Sequence, residues 1–237
     1  MQDIIITLIV IVVTAILVGA IFWFVHQHKV QQEQLFVNTS SLRGWVYERI
    51  EQRLTSGFRL CGTAAGAAWE LLSLRESTGR EAGPGSSNVT VSTTWSSVPA
   101  NPPGGLIMIG LRPAISAENA SAVAASMGSM LVQSALRLML GSDAAHQLSS
   151  MQEVEAGSTS FRQRYMVWAH TEADARRLVS SSVESALLAW PKKSNLVIKL
   201  GPEGIHIRLP EQLSQPSAVD PLIDLGRHLL EAWQSGG

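Results

Sequence analysis

The stretch FRLCGTAAGAAWELLSL, from Phe58 to Leu74, decides how the first part of the chain folds. It consists of two short runs that meet at Gly62–Gly66. A phosphate-binding loop needs glycines that lead into a helix, and a Walker loop ends in Gly-Lys-Ser/Thr. No lysine follows these glycines, and the run Trp69–Leu74 is typical of a strand. The stretch therefore predicts a hairpin of two strands and no nucleotide site.

A second hairpin is predicted by NLVIKLGPEGIHIRLP, from Asn195 to Pro210. Apolar residues alternate with others on both sides of Gly201–Gly204, as expected when strands bury one face and a glycine-rich turn joins them. The inner set is Leu196, Ile198, Leu200, Ile205, Ile207 and Leu209. On this pattern, His206 lies on the polar side of the hairpin.

The remaining elements are predicted from apolar periodicity and from turn or capping residues. Further strands are expected at Val89–Trp95, Leu106–Leu111 and Phe161–Ala169. A long helix is expected between Ser116 and Gly141, a second from Thr171 to Trp190 with Asp174 in a capping-box position, and a third from Asp220-Pro221 onward. The apolar face of the third helix is formed by Leu222, Leu225, Leu229 and Trp233. This order predicts an α+β fold, with an antiparallel sheet covered by about three helices.

The amino-terminal run IIITLIVIVVTAILVGAIFWFV, Ile4–Val25, is 22 residues long and carries no charge. A helix of that length spans roughly 33 Å, which matches a bilayer core. The run is too long for the apolar region of a signal peptide. It therefore predicts an uncleaved transmembrane anchor, with Phe22, Trp23 and Phe24 at the membrane interface.

The domain plan follows from this anchor and from the polar segments after it. We expect a transmembrane anchor over residues 1–28, a juxtamembrane linker over 29–43 and a soluble domain over 44–237. The soluble domain can be divided into two similar halves, 44–141 and 158–235. Lys29 and the arginines that follow it place this domain in the cytoplasm of a protein of the cell (inner) membrane, on the positive-inside rule.

Charge and cysteine content exclude some classes of function. The chain has 18 Lys and Arg against 19 Asp and Glu, so it lacks the basic footprint of a nucleic-acid-binding protein. A single cysteine, Cys61, forms no internal disulfide and has no sequence signature of a nucleophile. His26 and His28 are two residues apart, whereas helical metal ligands favour four. We expect no catalytic residues, no metal and no cofactor.

Two patterns suggest contacts with other chains. If Phe161–Ala169 is a strand, Arg162, Arg164, Met166 and Trp168 share one side, and these residue types are enriched at interfaces. A second covering helix explains that side equally well. In the apolar run, Ala15 and Gly19 form a small-xxx-small pair that would let another helix approach closely.

The chain also resembles a group of bacterial proteins of unknown function that have one amino-terminal membrane helix and an α+β domain. The resemblance covers residues 35–235 in architecture. It rests on a Gly-Trp-x-Tyr start, a strand ending in Gly, a Trp-containing return strand and an Arg-Pro after an apolar strand. The matching positions are Gly44, Trp45, Tyr47, Gly62, Trp69, Trp95, Arg112 and Pro113. The resemblance implies a bacterial membrane protein and brings no activity.

These patterns lead to one main functional hypothesis and two alternatives. The main hypothesis is a non-enzymatic accessory or structural subunit of a larger membrane complex, with other membrane-protein subunits as partners and no nucleic acid. The first alternative is a membrane-anchored ligand-binding or sensory domain. The second is an enzyme whose site is assembled from residues distant in sequence.

Overall fold

A computed structural model describes residues 2–77, 89–112, 151–191 and 195–235. The expected helix between Ser116 and Gly141 lies outside these residues, as does most of the Gly/Pro-rich loop that follows Glu76. The chain divides into two compact units, Met1–Tyr47 and Glu48–Gly237. The predicted domain boundary at residues 43 and 44 stays a prediction.

The described strands form a nine-stranded sheet, and this confirms the α+β class. The strands are β1 Val46–Glu51, β2 Thr55–Ala64, β3 Ala67–Ser77, β4 Val89–Ser97, β5 Ile107–Leu111, β6 Gln152–Val154, β7 Tyr165–Ala169, β8 Val197–Gly201 and β9 Gly204–Leu209. Their order across the sheet is β1-β2-β3-β4-β9-β8-β5-β7-β6. The sheet is antiparallel, and strands from the two predicted halves pair with each other at β4–β9 and on both sides of β5.

The described helices differ greatly in length. They are α1 Gln2–Leu42, α2 Thr159–Arg164, α3 Glu172–Leu178, α4 Ser181–Ala189 and α5 Pro216–Ser235. Helix α5 packs on β4 and β9 and contacts both α3 and α4. Its buried face includes Leu222, Leu225, Leu229 and Trp233, the four residues that the sequence predicted. The main core lies between this helix layer and the inner face of the sheet.

Both predicted hairpins are confirmed. In the first, Ala64 pairs with Ala67, so the turn consists of Ala65 and Gly66, with φ of 48° and 75°. Two positive φ angles are typical of a type I′ turn, whose twist matches that of the strands. In the second, Gly201 pairs with Gly204 across Pro202-Glu203.

A pair of buried hydroxyl groups holds the loop between β9 and α5 against the sheet. The Oγ of Ser73 and the Oγ1 of Thr93 lie 3.0 Å apart on neighbouring strands. The backbone N–H of Leu213 donates to both, at 3.0 and 3.2 Å. These bonds satisfy polar groups that would otherwise be buried without partners.

The expected strand Phe161–Ala169 is wrong in its first half. Residues 159–164 form the short helix α2, and only Tyr165–Ala169 is a strand. Ser158 caps the helix by accepting from the N–H of Phe161, directly after Gly157 with φ of 77°. Phe161 then stacks on Tyr165, four residues later, with ring centroids 5.2 Å apart. This local capping overrides the apolar pattern that suggested a strand.

The expected helix from Thr171 to Trp190 is two helices. Thr171 caps α3 and accepts from the N–H of Asp174, as the capping-box pattern predicted. Ser180 caps α4 by accepting from the N–H of Val183, so the chain breaks between the two. Helix α5 also begins earlier than predicted, at Pro216, and Pro221 lies inside it.

The expectation of a transmembrane helix, and with it of a single-pass membrane protein, is wrong. Over the described ranges, no helix has the combination of length and apolar character that crossing a bilayer requires. The exposed apolar side chains that are described on α1 include seven between Ile16 and Phe24 and, further along the helix, Val30, Leu35, Val37 and Leu42. The predicted location at the cell membrane stays a prediction.

Candidate functional site

Arg112 joins three elements at the β6 edge of the sheet. Its N–H donates to the carbonyl of Arg164 at 2.8 Å, and its Nε donates to the carbonyl of Arg162 at 2.9 Å. Its terminal nitrogen donates to Glu153 in β6 at 2.7 Å. The Arg162 side chain forms a second ion pair with Glu155. We call Arg112, Glu153, Glu155 and Arg162 the edge cluster.

The edge cluster is a surface network. Arg112 and Glu153 are each 40% exposed, and exposed ion pairs of this kind contribute at most about 1 kcal/mol each. In the sequence, Glu153 and Glu155 belong to no motif. The tertiary structure pairs them because the short strand β6 lies beside β7, next to the end of α2.

Arg164 points to the helix-covered side of the sheet. Its guanidinium donates to the carbonyl of Leu188 at 2.8 Å and to that of Trp190, both at the end of α4. It also lies 5.2 Å from the ring centroid of Tyr165. A cation at the carboxyl end of a helix donates to backbone carbonyls that have no partner within the helix. Its charge also interacts favourably with the helix dipole. Arg164 is therefore a positioning group for α4.

Met166 and Trp168 lie on the other face of β7, because Tyr165 and Val167 face the helices. Trp168 pairs across the strands with Met108 and packs on a small cluster formed by Leu106, Met108 and Met151. The four residues predicted as a partner surface are thus separated into two sets. Only Trp168 combines a large apolar side chain with partial exposure.

An open cleft of about 530 Å³ lies beside the edge cluster. Its lining residues are Leu111, Arg112, Ser160, Gln163, Arg164 and Leu188. A smaller cleft of about 230 Å³ lies on the other side of Arg112, between β6 and α2. The larger cleft has the size of a small-molecule site, and Arg112 and Arg164 are its two charged lining residues.

The buried tyrosine near this cleft has a structural hydrogen bond. The hydroxyl of Tyr165 donates to the carbonyl of Leu187 in α4 at 2.7 Å. Burial raises its pKa above the ordinary value of 10.0, because the charged phenolate is poorly solvated there. Tyr165 thus stays neutral, and it fixes α4 to the sheet.

In the described part of the chain, no three His, Cys, Asp or Glu side chains lie close enough together to bind a metal ion. Cys61 is half-buried in β2. Its neighbour across the strands is Glu70, which pairs with Arg59 at 2.9 Å.

The amino-terminal unit carries the largest exposed apolar surface among the described residues. Seven apolar side chains between Ile16 and Phe24 are from 46% to 73% exposed. Phe22, Trp23 and Phe24, predicted as membrane-interface anchors, belong to this set. Gly19 has open space around it, whereas the side chain of Ala15 lies outside the described part. The predicted helix–helix contact at this pair stays a prediction.

Comparisons with known proteins give little further information. The chain matches no family model, and it has no match among curated proteins. It is similar in structure to the mycobacterial trehalose monomycolate transport factor A, with a TM-score of 0.44 and 9% identity. The alignment covers 85% of this chain and 93% of that one. The two align too loosely for the likeness to bear on fold or function.

Proposed function

We propose that this protein acts through contacts with other protein chains, as a non-enzymatic accessory or structural subunit of a larger assembly. One observation carries the proposal. Helix α1 exposes seven large apolar side chains within nine residues: Ile16, Leu17, Val18, Ile21, Phe22, Trp23 and Phe24. Soluble proteins rarely leave contiguous apolar surface of this kind uncovered.

The distribution of these side chains indicates the kind of partner. At 100° per residue they point to all sides of α1, whereas an amphipathic helix would place them on one stripe. A partner must therefore surround the segment with several apolar elements. Burying one such side chain contributes about 1.5–3 kcal/mol, so a partner that covers all seven is bound strongly. Phe and Trp are also common anchors at protein interfaces.

The experiment compares the full chain with two variants of α1. In the first, Phe22, Trp23 and Phe24 are replaced by Gln. In the matched control, the exposed residues Gln31 and Gln34 of the same helix are replaced by Ala. Each chain is captured gently from its own cells, sized, and analysed by mass spectrometry for stoichiometric companions.

We expect the wild type and the control to recover the same partners at fixed stoichiometry. The triple variant should recover at least about tenfold less of these partners. A wild-type chain recovered as a monomer or homodimer contradicts the proposal. So does a partner that the triple variant retains. Circular dichroism of the triple variant checks that α1 still forms.

The open cleft favours a second candidate, a ligand-binding or sensory domain. Its volume of about 530 Å³ and its mixed lining of Leu111, Leu188 and two arginines suit a small molecule with a negative group. Native mass spectra of the protein from its own cells would then show an added mass. Substitution of Leu188 by Trp, which fills the cleft, would remove that mass. An unchanged added mass in this variant would contradict the assignment to the cleft.

A further inference from the structure

A basic cluster lies on the face of the sheet opposite α5. Trp95 in β4 faces α5, where Gly226 meets its indole ring. Its neighbours Thr94 and Ser96 therefore face the other side, since side chains alternate along a strand. The residues paired with them on β9 share that side. These are Arg208, opposite Thr94, and His206, opposite Ser96.

The next strand adds a second cation. Lys199 in β8 lies directly opposite His206, so Ser96, His206 and Lys199 form one row across three strands. Arg208 lies two residues along β9, diagonal to Lys199. Diagonal neighbours have Cα atoms roughly 7–8 Å apart, within reach of long side chains. The heads of Lys199 and Arg208 can therefore approach one small anion together.

The cationic groups in this cluster are only partly neutralised. Arg208 is exposed and forms no ion pair within the described ranges. Lys199 is paired with Glu203 of the hairpin turn, with Nζ and Oε2 3.4 Å apart. On β3, one strand beyond Ser96, Glu70 is held by Arg59 at 2.9 Å. Glu203 is thus the acidic group that competes for Lys199.

His206 has an unused polar atom in the same place. Its Nε2 is enclosed and has no hydrogen-bond partner among the residues described. Buried polar atoms usually have a partner, so this atom is available to hydrogen-bond a bound group. The hydroxyl of Ser96 lies on the adjacent strand and can donate to the same group.

We propose that Lys199, His206 and Arg208, together with the hydroxyls of Thr94 and Ser96, form a binding site for a phosphate group. Arg and Lys side chains and hydroxyls are the usual donors to phosphate oxygens. The phosphate can belong to a soluble small molecule or to a lipid headgroup, since the chemistry recognised is the same.

Binding at this site takes up a proton. Burial, and then the charge of Lys199, lower the pKa of His206 below its ordinary value of 6.5, while Glu203 opposes the shift. A bound phosphate offsets the charge of Lys199 and favours the protonated imidazole, which can donate from Nε2. For a phosphodiester, whose charge is constant over this range, affinity therefore increases as the pH falls from 7.5 toward 5.5.

The test is titration calorimetry of the full chain with inorganic phosphate, at two pH values and in two buffers of different ionisation enthalpy. Vesicles of phosphatidylglycerol, with phosphatidylcholine as the neutral reference, form the second arm. The wild type should bind inorganic phosphate or the phosphatidylglycerol vesicles, and the Arg208→Gln variant should bind the same probe at least about tenfold more weakly. The matched control, Arg227→Gln, removes an exposed arginine from α5 and should leave binding unchanged.

Two further variants test the named groups. Glu203→Gln should strengthen binding about two- to fivefold, because it frees Lys199 from its partner. With the vesicles, whose phosphodiester charge is constant, His206→Gln should remove the pH dependence of binding. With inorganic phosphate, which itself titrates in this range, His206→Gln should reduce the proton uptake relative to the wild type. Binding of inorganic phosphate assigns the site to soluble ligands, and binding of the vesicles alone assigns it to headgroups. The proposal is overturned if neither probe binds, or if the Arg208 and Arg227 variants behave alike.

Discussion

Gly226 in α5 lies against the indole ring of the fully buried Trp95, so closely that a Cβ at position 226 would stand 2.4 Å from Cε2. Glycine inside a helix costs about 1 kcal/mol relative to alanine, so its presence needs a reason. The reason is that helix α5 contacts strand β4 at this point, and the helix backbone can come this close to Trp95 only where no side chain intervenes.

Gly226→Ala should therefore destabilise the protein by roughly 1–3 kcal/mol, although alanine favours the helix. Urea unfolding measures the difference in free energy. Trp95→Phe removes the ring atoms nearest to position 226, so the double variant should lose much less than the sum of the two single losses. If the losses of stability are additive, the alanine side chain at position 226 does not clash with the Trp95 ring.

Ala65 occupies the first position of the type I′ turn with φ of 48°. Alanine is strained in this region, whereas Asn and Gly adopt it readily. Ala65→Asn, which creates an Asn-Gly turn, should stabilise the carboxy-terminal unit by about 0.5–1 kcal/mol in urea unfolding. Ala65→Val should destabilise it, and a stabilising valine would mean that the turn has another conformation.

Arg164 and Arg162 should behave differently although they are neighbours in α2. Arg164→Gln loses two hydrogen bonds to the carbonyls at the end of α4, so we expect a loss of about 1–3 kcal/mol. Arg162→Gln loses only an exposed ion pair with Glu155, with an expected loss below about 1 kcal/mol. Thermal unfolding of the two variants checks this. Equal losses would mean that Arg164 does not position α4.

The stability of the protein should decrease in mild acid because of His206. Its pKa is lowered in the folded state, by burial first and by Lys199 second, and stays near 6.5 in the unfolded chain. The unfolded chain then binds more protons as the pH falls below about 6.5, so unfolding becomes easier. Unfolding free energies at pH 7.5 and pH 5.5 should differ less in His206→Gln than in the wild type. An unchanged difference would assign the acid sensitivity to other groups.

Local patterns predicted a large part of this fold. The two hairpins, the cap at Thr171 and the apolar face of α5 follow from spacings of two to four residues, and the structure contains each of them. The predictions of strands and helices that failed were also based on local sequence patterns. The cap at Ser158 begins a helix where the run from Phe161 suggested a strand, and the cap at Ser180 divides a run that suggested one continuous helix.

Sequence patterns were least useful for the candidate sites. The edge cluster joins Arg112 to Glu153, residues that are far apart in the chain and that no motif links. The alternating pattern of the second hairpin placed His206 on its polar face. That pattern contains no sign that the hydroxyl groups of β4 lie beside Lys199 and Arg208.

The sequence by itself determined which segments form hairpins and helices and which of their side chains are apolar, because hydrogen bonds in turns and periodic burial act over a few residues. Only the tertiary structure decided that β9 lies between β4 and β8. That order depends on how the helices pack on the sheet, as Gly226 does on Trp95. It alone places Ser96, His206 and Lys199 in one row.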